Sequence, residues 1–211
     1  MGTHIPGNHP RWVGAWTLLS GIIFLATLVW SCAPPDKKSP TSAFSRLAPC
    51  LDKQAPECVF GELNRDSRWS IHTIFRTLRE IQTVAQKTYP TGNADQALGS
   101  WKEEAQASDP PDLFRVYCDK RNCLKPLLDG FGAVTQTTAV SESKASVTTT
   151  RGRSFELIKN ENNWGIALYD KELQQAKIRL LDRLKQVRKN GREFEQQKLA
   201  TGGGDGEKET P

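Results

Sequence analysis

Residues 145–168 read ASVTTTRGRSFELIKNENNWGIAL. Within them, Ala145–Thr150, Ser154–Lys159 and Trp164–Leu168 are runs rich in β-branched, aromatic and aliphatic side chains, the composition that fits a pleated, half-buried surface. Arg151-Gly152-Arg153 and Asn160-Glu161-Asn162-Asn163 separate the runs. Such polar connections are too short for a crossover, so neighbouring strands must be antiparallel. Ala133–Val140, joined through Ser141-Glu142-Ser143-Lys144, extends the meander upstream. Leu113-Phe114-Arg115-Val116-Tyr117-Cys118 has the same β-favouring composition, and is predicted as a further strand that turns at Asp119–Asn122.

Away from this meander the period changes to that of a helix. Ala43–Asp52 and Glu57–Asn64 read as short helices broken at Ala55-Pro56. A longer one, capped by Asp66 or Ser67, places Ile71, Ile74, Phe75, Leu78, Ile81 and Ala85 on one stripe and stops at Tyr89-Pro90-Thr91-Gly92. Ala94–Ala107 is predicted as another helix, ended by Asp109-Pro110-Pro111. Downstream, Leu173, Leu180, Val187 and Phe194 recur every seven residues, so 170–199 reads as a basic C-terminal helix whose last third Gly191 weakens. Residues 200–211 read as a disordered tail. Helices first and strands later define an α+β domain, with helices packed on a curved antiparallel sheet and a C-terminal helix.

Short helices, a long helix with Trp69 near its start, then Val147–Leu157 and Asn163-Trp164-Gly165-Ile166 resemble the cystatin-like roll of the nuclear transport factor two-like superfamily over residues 43–169. The likeness is to bacterial lipoprotein members in particular. Enzymes of that superfamily place an acid or base in the cone between helix and sheet. The resemblance therefore implies His72, Tyr117 and Asp112 as candidates there, with His72, Tyr117 and Trp69 as pocket residues. No spacing ties them together, and no Gly-x-Ser-x-Gly, His-Glu-x-x-His or phosphate-cradling loop is present, so no catalytic set is assigned. Trp69, Trp101, Phe131, Phe155 and Trp164 either line a pocket or form the core.

The first 31 residues are of another kind. Trp12–Trp30 (WVGAWTLLSGIIFLATLVW) is 19 residues long without a charge. As a helix it would rise about 28 Å, enough to cross a bilayer. Leu28-Val29-Trp30-Ser31-Cys32 resembles the lipobox of bacterial lipoproteins, departing from it at Trp30. That resemblance implies cleavage before Cys32 and lipid on its sulfur; uncut, the same run is a signal anchor. Residues 32–42 continue as a Pro-rich linker.

Five cysteines complete the pattern: Cys32, Cys50, Cys58, Cys118 and Cys123. With Cys32 reserved for lipid, Cys50/Cys58 and Cys118/Cys123 are two local pairs suited to disulfides in an oxidising compartment. A zinc site is the competitor, but neither pair has Cys-x-x-Cys spacing and His72 is far from both, so no metal or other cofactor is expected. Net charge is +5 overall, and residues 1–31 add only Arg11 to it, which is no nucleic-acid signature. The expectation is a membrane-tethered lipoprotein of the bacterial cell envelope, a non-enzymatic binding module facing the periplasm or the outside. Its partners would be the bilayer through the N-terminus, an envelope protein or small ligand, and an anionic surface at the C-terminal helix. An enzyme using the cone and a structural spacer are the alternatives.

Overall fold

The four runs around residue 145 form β1 (Val134–Ser141), β2 (Lys144–Thr149), β3 (Ser154–Asn160) and β4 (Asn163–Ile166), a sheet in sequence order with every neighbour antiparallel. The computed structural model describes residues 37–90 and 92–202, all in the unit that begins at Pro35. The run 12–30, Cys32 and residues 203–211 lie outside them. Alternation sets one face inward: Ala145, Val147 and Thr149 of β2, and Phe155 and Leu157 of β3, are buried. β1 is an edge strand and is exposed along nearly its whole length.

Short helices come first: α1 (Pro40–Ser45), α2 (Ala48–Asp52) and α3 (Pro56–Glu62). α1 starts inside the stretch expected as linker. Pro40 opens it and the Ser39 hydroxyl accepts the Ser42 N–H at 3.1 Å, so the cap is local. α1 packs on the sheet, with the Phe44 ring 5.0 Å from Phe131 and 5.2 Å from Phe155. A Cys50–Cys58 disulfide links α2 to α3, their Cα atoms 5.2 Å apart.

The long helix α4 (Arg65–Thr88) carries the expected stripe, with Ile71, Ile74, Leu78, Ile81 and Ala85 buried. Its cap is Asn64, two or three residues earlier than Asp66 or Ser67, and accepts the Ser67 N–H at 2.9 Å. Beyond it, 94–107 is not one helix but three short 3-10 turns, at Ala94–Ala97, Gly99–Trp101 and Glu104–Gln106. Gly99 sits at φ +57°, outside the right-handed helical region, which explains the first break.

The expected strand 113–118 is helical instead: α5 spans Pro110–Arg121 and α6 Leu124–Gly130. Asp109-Pro110-Pro111 starts α5 rather than stopping a helix before it. The Asp109 carboxylate accepts the Asp112 N–H at 2.8 Å, and Asp112 accepts the Ser108 N–H at 2.8 Å, a reciprocal cap that outweighs β-favouring side chains. Asn122 in the left-handed region ends α5.

The C-terminal helix α7 (Asp170–Gly202) forms as expected. Its stripe of Leu173, Ala176, Leu180, Leu184 and Val187 is buried, and it packs along α4. Ser67 bonds Asp170, Gln174 reaches Ser70 at 3.0 Å, Arg188 pairs with Glu80, and Gly191 abuts Thr88. Those partners ascend together, so the two helices run parallel and in step. The parallel course has a cause at their start. β4 ends beside the first residues of α4, where Leu63 bridges Ile166 and the Asn64 N–H donates to the Ile166 carbonyl at 2.9 Å. A chain leaving β4 there must begin its helix at the same end. Gly191, expected to weaken α7, lies where the two helices approach closely, since a Cβ there would run into the Thr88 side chain.

Candidate functional site

Where β4 meets the start of α4, a cavity of about 340 Å³ opens between Asn64, Arg65 and Arg68 on one side and Asn160, Asn163 and Trp164 on the other. Its floor exists because residue 165 is glycine. An ideal Cβ there would lie 2.7 Å from the Asn64 Cα and 2.8 Å from both the Asn64 nitrogen and the Leu63 oxygen, all main-chain atoms. Lys37 closes one rim, its carbonyl accepting the Trp164 N–H at 2.9 Å. Its ammonium is already engaged, 3.0 Å from Glu62 and 2.9 Å from the Gly61 carbonyl. Arg65 is held loosely, 3.5 Å from Glu161 in a pair exposed on both sides, which contributes little. Arg68, Asn160 and Asn163 have no side-chain partner among the described residues. The cavity thus presents two guanidinium groups and two carboxamides around the edge of an indole.

Behind the cavity is a polar junction. Asp170 accepts from the Asn64 amide at 3.0 and 3.1 Å and from the Ser67 hydroxyl, and Ser67 also reaches the Leu168 carbonyl at 3.3 Å. Asn64 and Ser67 are buried, and Asp170 sits at the N-termini of both α4 and α7, where helix dipoles favour a negative charge. With no histidine or cysteine among its members, the junction reads as a clasp between two helices.

The residues singled out by sequence are scattered. Trp69 is 59% exposed, with the Arg76 guanidinium 5.4 Å over its ring. His72 is exposed, its nearest ring neighbour Phe60 at 5.9 Å. Tyr117 is buried on α5, its ring 6.4 Å from Trp101 and 3.8 Å from the Arg121 guanidinium; burial pushes its phenol pKa up. The contacts of these three residues lead to different neighbours, and none lines the cavity at β4. Asp112 is spent on the α5 cap and Arg115, its pKa lowered first by the Ser108 N–H and then by Arg115. Of the aromatics, Phe155 and Trp164 are buried, Trp101 and Phe131 half-buried.

The two cysteine pairs differ. Cys50 and Cys58 form a disulfide, whereas Cys118 and Cys123, expected as the second pair, are two buried thiols in contact. The pair is held on either side of the left-handed Asn122, and Tyr169 donates to the Cys123 carbonyl. A hydrogen bond from Cys118 to Cys123 raises the pKa of Cys118 and lowers that of Cys123; burial adds to the first shift, and Arg121 to the second. On α7, Arg183 donates to the Ala97 and Gln96 carbonyls at 2.9 and 2.6 Å and Arg188 pairs with Glu80, so part of its basic face serves the fold.

Among the described residues, no three His, Cys, Asp or Glu side chains gather to hold a metal, and no helix is long and apolar enough to cross a membrane. Compared with protein-family models, curated proteins and solved structures, the chain matches none of them. The cavity escaped sequence reading because its residues span positions 37 to 165. The only local trace was an asparagine-rich turn at 160–163 beside a Trp-Gly pair.

Proposed function

We propose that this chain is an exported protein of the bacterial cell envelope, tethered to the membrane by residues 12–32, and that its domain works as a non-enzymatic binding module. The observation that carries the proposal is the Cys50–Cys58 disulfide, in a domain that follows 19 uncharged residues ending two positions before Cys32. Disulfides persist in oxidising compartments, and an uncharged run of this length suits a bilayer. The cavity at β4 supplies the binding surface in this reading, because Arg65, Arg68, Asn160 and Asn163 line it without a strong side-chain partner among the described residues. The likeness to the cystatin-like roll enters as the proposed kinship of the meander and α1, since the long helix lies along α7.

Intact mass of the membrane-extracted chain tests the tether and the bridge together. The expected species begins at Cys32, carries lipid, and gains two protons on reduction of Cys50–Cys58 under conditions that trap the other thiols. A chain still beginning at Met1 refutes cleavage, and four free thiols among Cys50, Cys58, Cys118 and Cys123 refute the oxidising compartment.

A further inference from the structure

We infer that the cavity between β4 and the start of α4 takes the phosphate group of an anionic phospholipid from the membrane that holds the chain. The inference rests on the tethered reading proposed above and names the ligand class for the same cavity.

Three observations lead to it. The first is charge: Arg65 and Arg68 line the cavity, Lys37 stands on its rim, and among the described residues Glu161 is the one acidic residue lining it. Arg68 has no partner among the described residues, and the guanidinium fork matches phosphate oxygens in two parallel hydrogen bonds. The second is polarity. Asn160 and Asn163 add amide donors beside those cations and have no side-chain partner of their own, while Trp164 supplies a flat wall. At about 340 Å³ the cavity stands at the lower end of small-molecule sites, room for a phosphorylated head group rather than a whole lipid.

The third observation is the leash. Lys37 is five residues beyond Cys32, so an extended chain between their Cα atoms spans at most about 18 Å. The Lys37 carbonyl is itself bonded to the Trp164 N–H, which fixes the root of the tether to the cavity wall. A site held that close to a bilayer meets head groups as an intramolecular partner at high effective concentration, and weak intrinsic affinity suffices. Each Lys or Arg near an anionic surface is worth about 1 kcal/mol, or roughly fivefold in binding.

The test uses the full chain in nanodiscs of phosphatidylcholine alone, or with one third phosphatidylglycerol, and follows hydrogen exchange of amides 161–168. Phosphatidylglycerol is expected to slow that exchange several-fold. Arg68→Gln should weaken the effect about fivefold, and the Arg65→Glu, Arg68→Glu pair should remove it. Unchanged exchange at Ile74 and Leu78 in both variants would show that the fold is intact. Glycerol 3-phosphate, titrated onto the phosphatidylcholine discs, separates the sources. Protection by it with no effect of phosphatidylglycerol overturns the lipid and leaves a soluble phosphate ester; protection by neither overturns the site. A chain that does not stay with the discs overturns the tether, and the lipid assignment with it.

Discussion

Replacing Gly165 by alanine adds one methyl group, and its expected effect has the opposite sign to the usual one. Gly165 is not in the left-handed region, so on backbone grounds alone alanine would stabilise the fold by about 0.4–1 kcal/mol through the unfolded chain. Against that, its Cβ would lie 2.7–2.8 Å from the Asn64 Cα, the Asn64 nitrogen and the Leu63 oxygen. None of these can rotate away, so β4 must shift off the start of α4. Overpacking of this kind costs about 1–3 kcal/mol. The shift also strains the buried hydrogen bond from the Asn64 N–H to the Ile166 carbonyl, worth about 1 kcal/mol more. The balance is a loss of about 2–3 kcal/mol, read as a lower urea midpoint at constant slope. Gly61→Ala is the control, because its Cβ would meet nothing within 4 Å in a helical segment. It should stabilise by about 0.5–1 kcal/mol. If the two substitutions shift the midpoint in the same direction, the close approach of β4 to α4 is not what positions the cavity.

Three further outcomes follow from the packing. Asp170→Ala should cost about 2–3 kcal/mol, since Asn64 and Ser67 would lose a charged acceptor in a buried setting; a double-mutant cycle with Ser67→Ala should show coupling near 1 kcal/mol, and additive losses would argue against a shared clasp. Removing both Cys50 and Cys58 should lower stability by about 2.5 kcal/mol for so short a loop, measured by urea unfolding with and without reductant; equal stability in both conditions would count against the bridge. For Asp112, whose folded pKa lies below its unfolded value, the stabilisation is present above about pH 4 and fades as pH falls through the depressed value. The stability gap between the native protein and Asp112→Asn should therefore close on acidification, and a gap that widens in acid would reverse the assignment.

Sequence reading succeeded where local chemistry and tertiary packing agree. The meander from β1 to β4 was legible because short polar turns leave antiparallel pairing as the only choice. The helix α7 was legible because its stripe of Leu173, Leu180 and Val187 became the face buried along α4. Misreadings came where one local signal opposed another. Residues 113–118 have the side chains of a strand, yet the reciprocal cap of Asp109 and Asp112 with Pro110 fixes a helix. In 94–107 the spacing of Ala94, Leu98, Trp101 and Ala105 suggested one helix, but Gly99 turns left-handed and divides it. Asn64 was missed as a cap because what holds it is β4, about a hundred positions away. The cavity was hidden for the same reason. Arg65 and Arg68 look like the solvated face of a helix until β4 brings Asn163 and Trp164 opposite them.

The Cys50–Cys58 bridge encloses the exposed residues Asp52, Lys53 and Gln54, the last with φ at 48°. A protease cutting after Lys53 would therefore sever the peptide chain without separating the pieces. The N-terminal fragment would stay covalently joined to α3 and the rest of the domain. Such a nicked protein would run as one species on a gel without reductant and as two with it. Separating the N-terminal fragment from the rest of the domain would then require reduction as well as cleavage.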